Sequence, residues 1–381
     1  MKLTFLTNIV NHHQIPLADE FYKLLGDDYT YVAFEPLPDW LKKGGYQEIE
    51  RPYVLKVYED TKYLPKVYEL VDSSDVVIIG DASDKYVLNR INASKLTFRY
   101  NERWFRLKPW FLSGPRAWLN FYSNHIKFKN KPLYMLAASA YTANDVYAIG
   151  AYKNKVYKWG YFTQVEEYSN ERFLLNEADE VKRIMWCARF LKLKHPELPV
   201  QLAAILKSEG YRFVLNMYGG GEELESTKTL VRELNVEDVV TFCGNYPNQE
   251  ILAAMRRHHI FLFTSDKNEG WGAVLNESMS NGCAVVASNR IGATPFLVKD
   301  GENGLIFESE NLDSLYEKVK SLLDDEDLRK HLSINAYKTM SEMWNPRNAA
   351  VRFLLLVENL QRGIDTPFTD GPCSKAYPCK Y

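Results

Sequence analysis

The sequence predicts an α/β protein folded as two doubly wound parallel sheets, each in its own domain. Three observations carry this. The chain has 381 residues, 46% of them hydrophobic, too many for one ordinary core and suited to two of about 150–200 residues. Short apolar runs alternate with amphipathic stretches along the chain, the rhythm of strands joined by helical crossovers. The apolar runs are also brief and continuous, as central parallel strands covered on both faces require.

Each element follows in order. KLTFLTNIV is a first strand, then comes the loop NHHQIP, then the helix LADEFYKLLG, which stops at Gly26. YTYVAFEPL is a second strand. LPKVYELVDSSDVVIIGDAS is a helix and a buried strand that ends in a polar loop, and NKVYKWGYFTQV closes the first half. The second half keeps the rhythm more clearly. RIMWCARF is a strand, LPVQLAAILKSEG a helix, YRFVLNMYGGG a strand running into glycines, and EELESTKTLVRELNV a helix. VVTFCGN is a strand, NQEILAAMRRH a helix with Asn248 as its cap, IFLFTS a strand, CAVVASN another, GATPFLVKDGENGLIF a loop and strand, and LDSLYEKVKSLLDD a helix. The expected domains are 1–165 and 166–345. A helix over 346–363 crosses back to the first domain, and a Pro/Gly/Cys-containing tail over 364–381 is expected to be mobile.

The formal charge of −2 singles out no partner class. Cys187, Cys243 and Cys283 read as small core residues. Cys373 and Cys379 fall in the polar tail DGPCSKAYPCKY, where a disulfide or a metal site is possible but free thiols in a reducing cytosol are expected. MKLTFLTNIVNHHQ has no cleavage site and reads as a strand rather than a signal peptide. No run of about 18 apolar residues offers a membrane span.

Ligands of open parallel sheets bind beyond the carboxyl ends of the strands, and the polar features gather there. Arg189 and Lys194 follow RIMWCA, Gly219 to Gly221 follow FVLNMY, Gly244 and Asn245 follow VVTFC, and the loop of Glu269 follows IFLFTS. Two cations and glycine turns ahead of helices suit a diphosphate, because helix-start N–H groups and the helix dipole favour an anion. Arg189 can fork onto phosphate oxygens and Lys194 adds a point charge. Taken singly, the glycines are also what tight turns need, and Glu277 is also a helix-start acid.

From 180 to 345 the sequence resembles the retaining glycosyltransferases of the GT-B fold, family 4 (glycosyl transferases group 1), of the kind that builds bacterial polysaccharides. The resemblance rests on the E-x7-E element EGWGAVLNE and on ARFLKLK, LNMYGGG, TFCGN and NGCAVVASNRIGATPFLVKDGENGLIF. It implies two Rossmann-like domains facing across a cleft, the first taking the acceptor and the second a nucleotide-diphosphate sugar. It further implies that Arg189 and Lys194 neutralise the donor diphosphate, so that neither a metal nor another cofactor is needed. Glu269 faces the sugar and its reacting side, and Glu277 accepts from the ribose hydroxyls. Gly270, Trp271, Gly272 and Ala273 offer backbone to phosphate or sugar, with Val274 beside them and Gly219 at the neighbouring turn. Gly244, Asn245 and Tyr246 lie near the base. A carboxylate suits a ribose diol, which offers it two hydroxyl donors.

The sequence departs from the family in three places. The first loop has Asn11, His12 and His13 where relatives carry a glycine pair; these residues either contact donor or acceptor or cap the next helix. Asp81, Ser83 or Asp84 stands where relatives place a histidine, and Pro295-Phe296 replaces Pro-Glu. The implied reaction is transfer with retention by a front-face path, since no second acid is placed for double displacement.

Residues 99–131, RYNERWFRLKPWFLSGPRAWLNFYSNHIKFKNK, mix aromatic and basic side chains with Glu102 as the one acid. Such a mixture suits an anionic bilayer surface, although core packing with a solvated basic face is the alternative. No nucleic-acid motif accompanies it. The expectation is a cytoplasmic transferase, peripheral on the inner face of the membrane, that adds a hexose-type sugar to a glycan acceptor on a lipid carrier. The alternatives are another GT-B activity, such as a nucleotide-sugar epimerase, and a non-catalytic membrane-associated subunit.

Overall fold

The computed structural model describes residues 1–39, 42, 47–106, 114–167 and 180–379. It divides into two units, Met1–Gln164 together with Asn345–Lys380, and Val165–Trp344.

The first unit is a seven-stranded sheet with the order β3-β2-β1-β4-β5-β6-β7. Its strands are β1 Leu3–Thr7, β2 Tyr29–Ala33, β3 Val54–Lys56, β4 Val76–Ile79, β5 Thr97–Asn101, β6 Leu133–Ala137 and β7 Val156–Lys158, paired parallel throughout. The central strands β1 and β4 are buried at every residue, which is why their sequences LTFLT and VVII do not alternate. Arg90 is buried and donates to the carbonyls of Val71, Ser74, Asp75 and Leu96. It thereby satisfies the C-terminal end of the helix Leu64–Ser73, which has no continuing backbone partners.

The second unit is a six-stranded sheet with the order β10-β9-β8-β11-β12-β13. It is made of β8 Lys182–Cys187, β9 Phe213–Tyr218, β10 Val240–Gly244, β11 Ile260–Phe263, β12 Ala284–Ser288 and β13 Leu305–Phe307, again all parallel. β11 and β12 are wholly buried, whereas β9, next to the edge, alternates buried and half-buried residues. The strand order reverses direction between β8 and β11, so the chain after each of these two strands leaves to opposite sides. In the first unit the same reversal falls between β1 and β4. Helices the sequence did not announce include Thr294–Leu297 and Glu326–Lys338, the latter started by the Asp325 carboxylate and extended by a π-turn over Thr339–Met343.

The helix Pro346–Gln361 belongs to the first unit. Its Phe353 packs edge-on against Phe21 and Phe98, at 5.6 and 5.0 Å between ring centres. The tail after it is not loose. Lys375 bridges antiparallel to Tyr157, the Lys158 N–H donates to the Ser374 carbonyl at 2.7 Å, and the Cys373 N–H donates back to the Lys158 carbonyl at 2.8 Å. Cys373, Ser374 and Ala376 are buried. The expectation of a mobile tail is therefore corrected. β7 ends the sheet with unpaired backbone groups, and the tail pairs them as an added antiparallel segment. The polar letters of DGPCSKAYPCKY misled because these contacts are made largely by backbone.

Deleting 364–381 is expected to strip hydrogen-exchange protection from the Lys158 amide and to lower the melting temperature of the first unit, while β8 and β11 amides stay protected. Equal protection at Lys158 with and without the tail would restore the mobile-tail reading.

Candidate active site

The site is built where the second sheet reverses direction. After β8 the chain passes Ala188–Leu193 and reaches Lys194; after β11 it passes Thr264 and Ser265 and reaches Asp266–Glu269. One buried hydroxyl joins the two segments. Thr264 Oγ1 accepts from the Trp186 indole N–H at 2.9 Å and donates to the Lys194 carbonyl at 2.6 Å. The Asp266 N–H adds a bond to the Leu193 carbonyl at 3.0 Å. With its backbone held in this way, Lys194 directs its ammonium to the Glu269 carboxylate. The two form an ion pair with each side chain only 14% exposed. The Glu269 loop is itself fixed, because the Asp266 carboxylate accepts from the Asn268 N–H at 2.7 Å and the Asp266 carbonyl accepts from the Glu269 N–H at 3.1 Å.

Glycine is required at Gly219, Gly221 and Gly272. Gly219 has φ +123°, and a Cβ there would lie 2.0 Å from the Ala188 carbonyl oxygen. Only glycine lets the β9 turn close against the β8 loop, where the Ala188 N–H donates to the Tyr218 carbonyl and the Phe190 N–H to the Gly220 carbonyl. Gly272 has φ +88°, and a Cβ would meet the Phe263 ring at 2.6 Å. Gly272 is also the N-cap of the helix Ala273–Ser280 and brings no side-chain acceptor. The first-turn N–H groups at Ala273 and Val274 are therefore suited to an external anion.

The remaining candidates are distributed as follows. Arg189 is exposed just past β8. Gly270 is buried, and the Trp271 side chain is fully buried, with its indole N–H on Asn276 Oδ1 at 2.8 Å and Phe296 and Trp344 around it. Trp271 can thus meet a ligand only through its backbone, and Phe296, at the family's Pro-Glu position, packs beside it. The Gly244 carbonyl accepts from the Gly219 N–H, the Asn245 amide lies against Gly220, and Tyr246 is 47% exposed, edge-on to Tyr218.

Glu277 lies inside the helix and is partly buried. Burial pushes its carboxyl up from the ordinary 4.5 to about 7, and the Asn248 amide opposes this. Asn248 is therefore not the helix cap, since Pro247 occupies that position and the Asn248 side chain turns to Glu277. The Cys187 thiol is pushed to about 12 by burial and then by the Glu277 charge, with Lys194 opposing, which sets all three around the end of β8.

Sequence reasoning missed Thr264, Trp186, Asp266 and His195. His195, next to Lys194, has a left-handed backbone and sits among Glu197, Asp266 and Glu310; Asp266 and then Glu197 raise its ring to about 10. A lone histidine after a lysine carries no signal of three acids that arrive from other loops.

In the first unit, Asn11, His12 and His13 follow β1, and Asp81 and Ser83 follow β4, so these candidates share that sheet's own reversal point. Asn11 Oδ1 accepts from the His13 N–H at 3.0 Å and organises the turn; the helix itself starts at Gln14 without a side-chain cap. Burial lowers His12 to about 4 and, with the His12 charge, His13 to about 3, so both rings are neutral near pH 7. Asp81 and Ser83 are exposed, while Asp84 is committed to an ion pair with buried Arg99.

The aromatic-basic segment divides. Arg99 and Arg103 are buried, Arg103 near Asp145 and over the Tyr141 ring, and His125 and Phe128 are core. Residues 107–113, with Trp110, lie outside the described residues. On the helix Pro115–Asn124, Leu119 and Tyr122 are 69% and 59% exposed on one face beside Arg116, with Lys127 and Lys129 exposed just after. Among the described residues no helix is long and apolar enough to cross a membrane.

Residues 167–339 match the family model of glycosyl transferases group 1. Over 175 residues the chain is 27% identical to a poly(glycerol-phosphate) alpha-glucosyltransferase of Bacillus subtilis, covering 46% of this chain and 25% of that protein. Over 178 residues it is 32% identical to an N-acetylgalactosamine-N,N'-diacetylbacillosaminyl-diphospho-undecaprenol 4-alpha-N-acetylgalactosaminyltransferase of Campylobacter jejuni, covering 46% of this chain and 45% of that one. The chain thus spans less than half the length of these curated relatives. The crystal structure of Anabaena HepE in complex with UDP superimposes with a TM-score of 0.67 at 17% identity, over 93% of this chain and 99% of that one.

The raised Glu277 carboxyl has a stability consequence. The folded state holds this proton more tightly than the unfolded chain, so the group's contribution is complete below pH 4.5 and is lost as pH rises through 7. Glu277→Gln is expected to flatten that fall in a urea-unfolding series between pH 4.5 and 8 and to unfold at higher urea than wild type at pH 8. Parallel profiles for the two proteins would exclude a buried, proton-holding Glu277.

Proposed function

We propose, from the match of residues 167–339 to the glycosyl transferases group 1 model and from the GT-B fold, that the protein is a retaining glycosyltransferase that moves a hexose-type sugar from a nucleotide-diphosphate sugar to a glycan acceptor. The observation that carries the reading is the Lys194–Glu269 pair at the β8/β11 reversal. A diphosphate donor supplies partners for both members: its phosphates for the ammonium, its sugar hydroxyls for the carboxylate. Arg189 and the first turn of the helix Ala273–Ser280 add positive potential to the same strand ends.

In the reaction, the bond from the sugar's anomeric carbon to the diphosphate oxygen breaks. The acceptor hydroxyl bonds to that carbon on the same face, and its proton leaves with the diphosphate. Lys194 and Arg189 stabilise the charge that grows on the leaving oxygen, an electrostatic contribution that needs no metal. Glu277 accepts from the ribose hydroxyls. Ionising it in a partly buried place is unfavourable in the free protein, and two hydroxyl donors offset that when donor binds.

Glu269→Ala is expected to keep nucleoside-diphosphate affinity within a few-fold while transfer falls by about 10²-fold or more. Glu277→Gln is expected to weaken nucleotide-sugar binding about 10- to 100-fold, the loss of a hydrogen bond to a charged group. Calorimetry with a nucleotide-sugar panel and a radiolabel transfer assay measure the two. A panel in which no nucleotide sugar binds would favour a non-catalytic subunit.

For the acceptor we propose a lipid-linked glycan in surface-polysaccharide synthesis, approached at the inner face of the membrane. Support comes from the diphospho-undecaprenol acceptor in the name of the Campylobacter relative and from the exposed Leu119–Tyr122 face with Arg116, Lys127 and Lys129. Apolar side chains flanked by cations are what an anionic interface attracts, at about 1 kcal/mol per cation near the surface. Wild type is expected to co-sediment with phosphatidylglycerol vesicles, and Leu119→Ser/Tyr122→Ser/Lys127→Gln/Lys129→Gln to remain in the supernatant. Equal partitioning of the two proteins removes this helix from the membrane reading.

A further inference from the structure

Beside the Lys194–Glu269 pair lies a second group of polar side chains that the transfer reaction does not use. The His195 Nδ1 is 2.7 Å from Glu197 Oε1, while its Nε2 is 3.3 Å from Glu310 Oε1 and 3.5 Å from Asp266 Oδ2. The first distance is an ordinary hydrogen bond. The other two exceed the usual hydrogen-bond range of about 2.7–3.2 Å, so that buried Nε2 lies within ion-pair reach of both carboxylates but makes no hydrogen bond of ordinary geometry. They match another geometry. Ligand atoms about 2.0–2.1 Å from a tetrahedral zinc ion are about 3.3–3.4 Å from each other. The His195, Asp266 and Glu310 ligand atoms all lie within 4.8 Å of one another.

We propose that His195, Asp266 and Glu310 bind a divalent transition-metal ion, with zinc the best match, and that Glu197 orients the imidazole. A carboxylate on one ring nitrogen with the other nitrogen turned to the ion is the usual support of a histidine ligand, since it fixes the tautomer and raises basicity. The charge also favours a dication. Three carboxylates face one imidazole; a proton on the ring offsets one negative charge and a dication offsets two. One nitrogen and two carboxylate oxygens leave a fourth position for water. Magnesium fits poorly, because it prefers six oxygens in an octahedron.

The ligands come from three backbone segments, and those of His195 and Asp266 are already bonded to each other. The His195 N–H donates to the Lys192 carbonyl at 3.2 Å, the Asp266 N–H to Leu193, and the Glu310 turn closes through the Asn311 N–H on the Glu308 carbonyl at 3.1 Å. The ion therefore ties the turn before the helix Leu312–Asp324 to the segment of Lys194 and the loop of Glu269. It is a structural clamp on the site rather than part of the chemical step, and it stands whether or not the protein transfers sugar.

The test uses zinc chloride as the probe and the full chain. After loading and dialysis against metal-free buffer at neutral pH, wild type is expected to retain about one equivalent by elemental analysis and to melt higher than the metal-free protein. His195→Asn, which tolerates the left-handed backbone, and Glu310→Gln, at an exposed turn, are expected to retain none while melting as metal-free wild type does. Glu197→Gln is expected to bind about 10- to 100-fold more weakly. The proposal is overturned if wild type retains no zinc, if His195→Asn retains as much, or if magnesium displaces zinc at equal concentration. A thiolate-to-metal charge-transfer band in the cobalt-loaded protein would place the ion on the cysteines and overturn it equally.

Discussion

The Thr264 hydroxyl is the contact on which the second unit's functional end depends. Every strand of a parallel sheet finishes on the same side, but that alone leaves a row of separate loops. Where the winding reverses, the loops after β8 and β11 leave in opposite directions and nothing in the sheet ties them together. Thr264 does so from a fully buried position, taking the Trp186 indole N–H and giving its own proton to the Lys194 carbonyl. The tryptophan side chain belongs to the core of the sheet, and the lysine backbone belongs to the site. The hydroxyl between them transmits the rigidity of packing to a group that must hold a charge in place.

The opposite requirement appears at Glu277. A core would exclude an acid there, and burial shows the strain by raising its carboxyl to about 7. The helix tolerates it because the Asn248 amide helps hold the charged form. A residue that is unfavourable when ionised in the free protein yet sits at the strand ends is poised for a ligand with hydroxyl donors. Local physical rules give way at candidate sites, and this acid is a clear case of such a departure in the second unit.

Much of this was legible in the sequence. Apolar runs with a glycine or polar turn after each strand named every strand of the second sheet and the residues at its carboxyl ends, because covered parallel strands carry their burial in local composition. What was not legible depends on residues distant in the chain. The polar tail reads as mobile until β7 is known to be the sheet's edge. Arg99 and Arg103 read as part of a basic surface until Asp84 and Asp145 are found beside them. The motif gives Trp271 a backbone role only, and it does not tell that the indole is enclosed by Asn276, Phe296 and Trp344.

The tail also bears on how the units form. The second unit is one continuous stretch, so its sheet can close once Trp344 has been made. The first is interrupted. Its sheet lies in the first 164 residues, but Phe353, which packs against Phe21, Phe98 and Trp159, and the backbone that pairs with β7 come after the second unit. Until they arrive, the apolar surface of Phe21, Phe98 and Trp159 and the hydrogen-bonding edge of β7 are open, the two kinds of surface that most readily pair with a neighbouring chain. The Asp365 and Asp370 carboxylates, which accept from Tyr157 and Lys158 at 2.9 and 2.8 Å, add side-chain direction to that closure. The last residues act on the first unit as the missing strand of its edge, and the physical unity of that domain rests on contacts more than 200 residues apart in sequence.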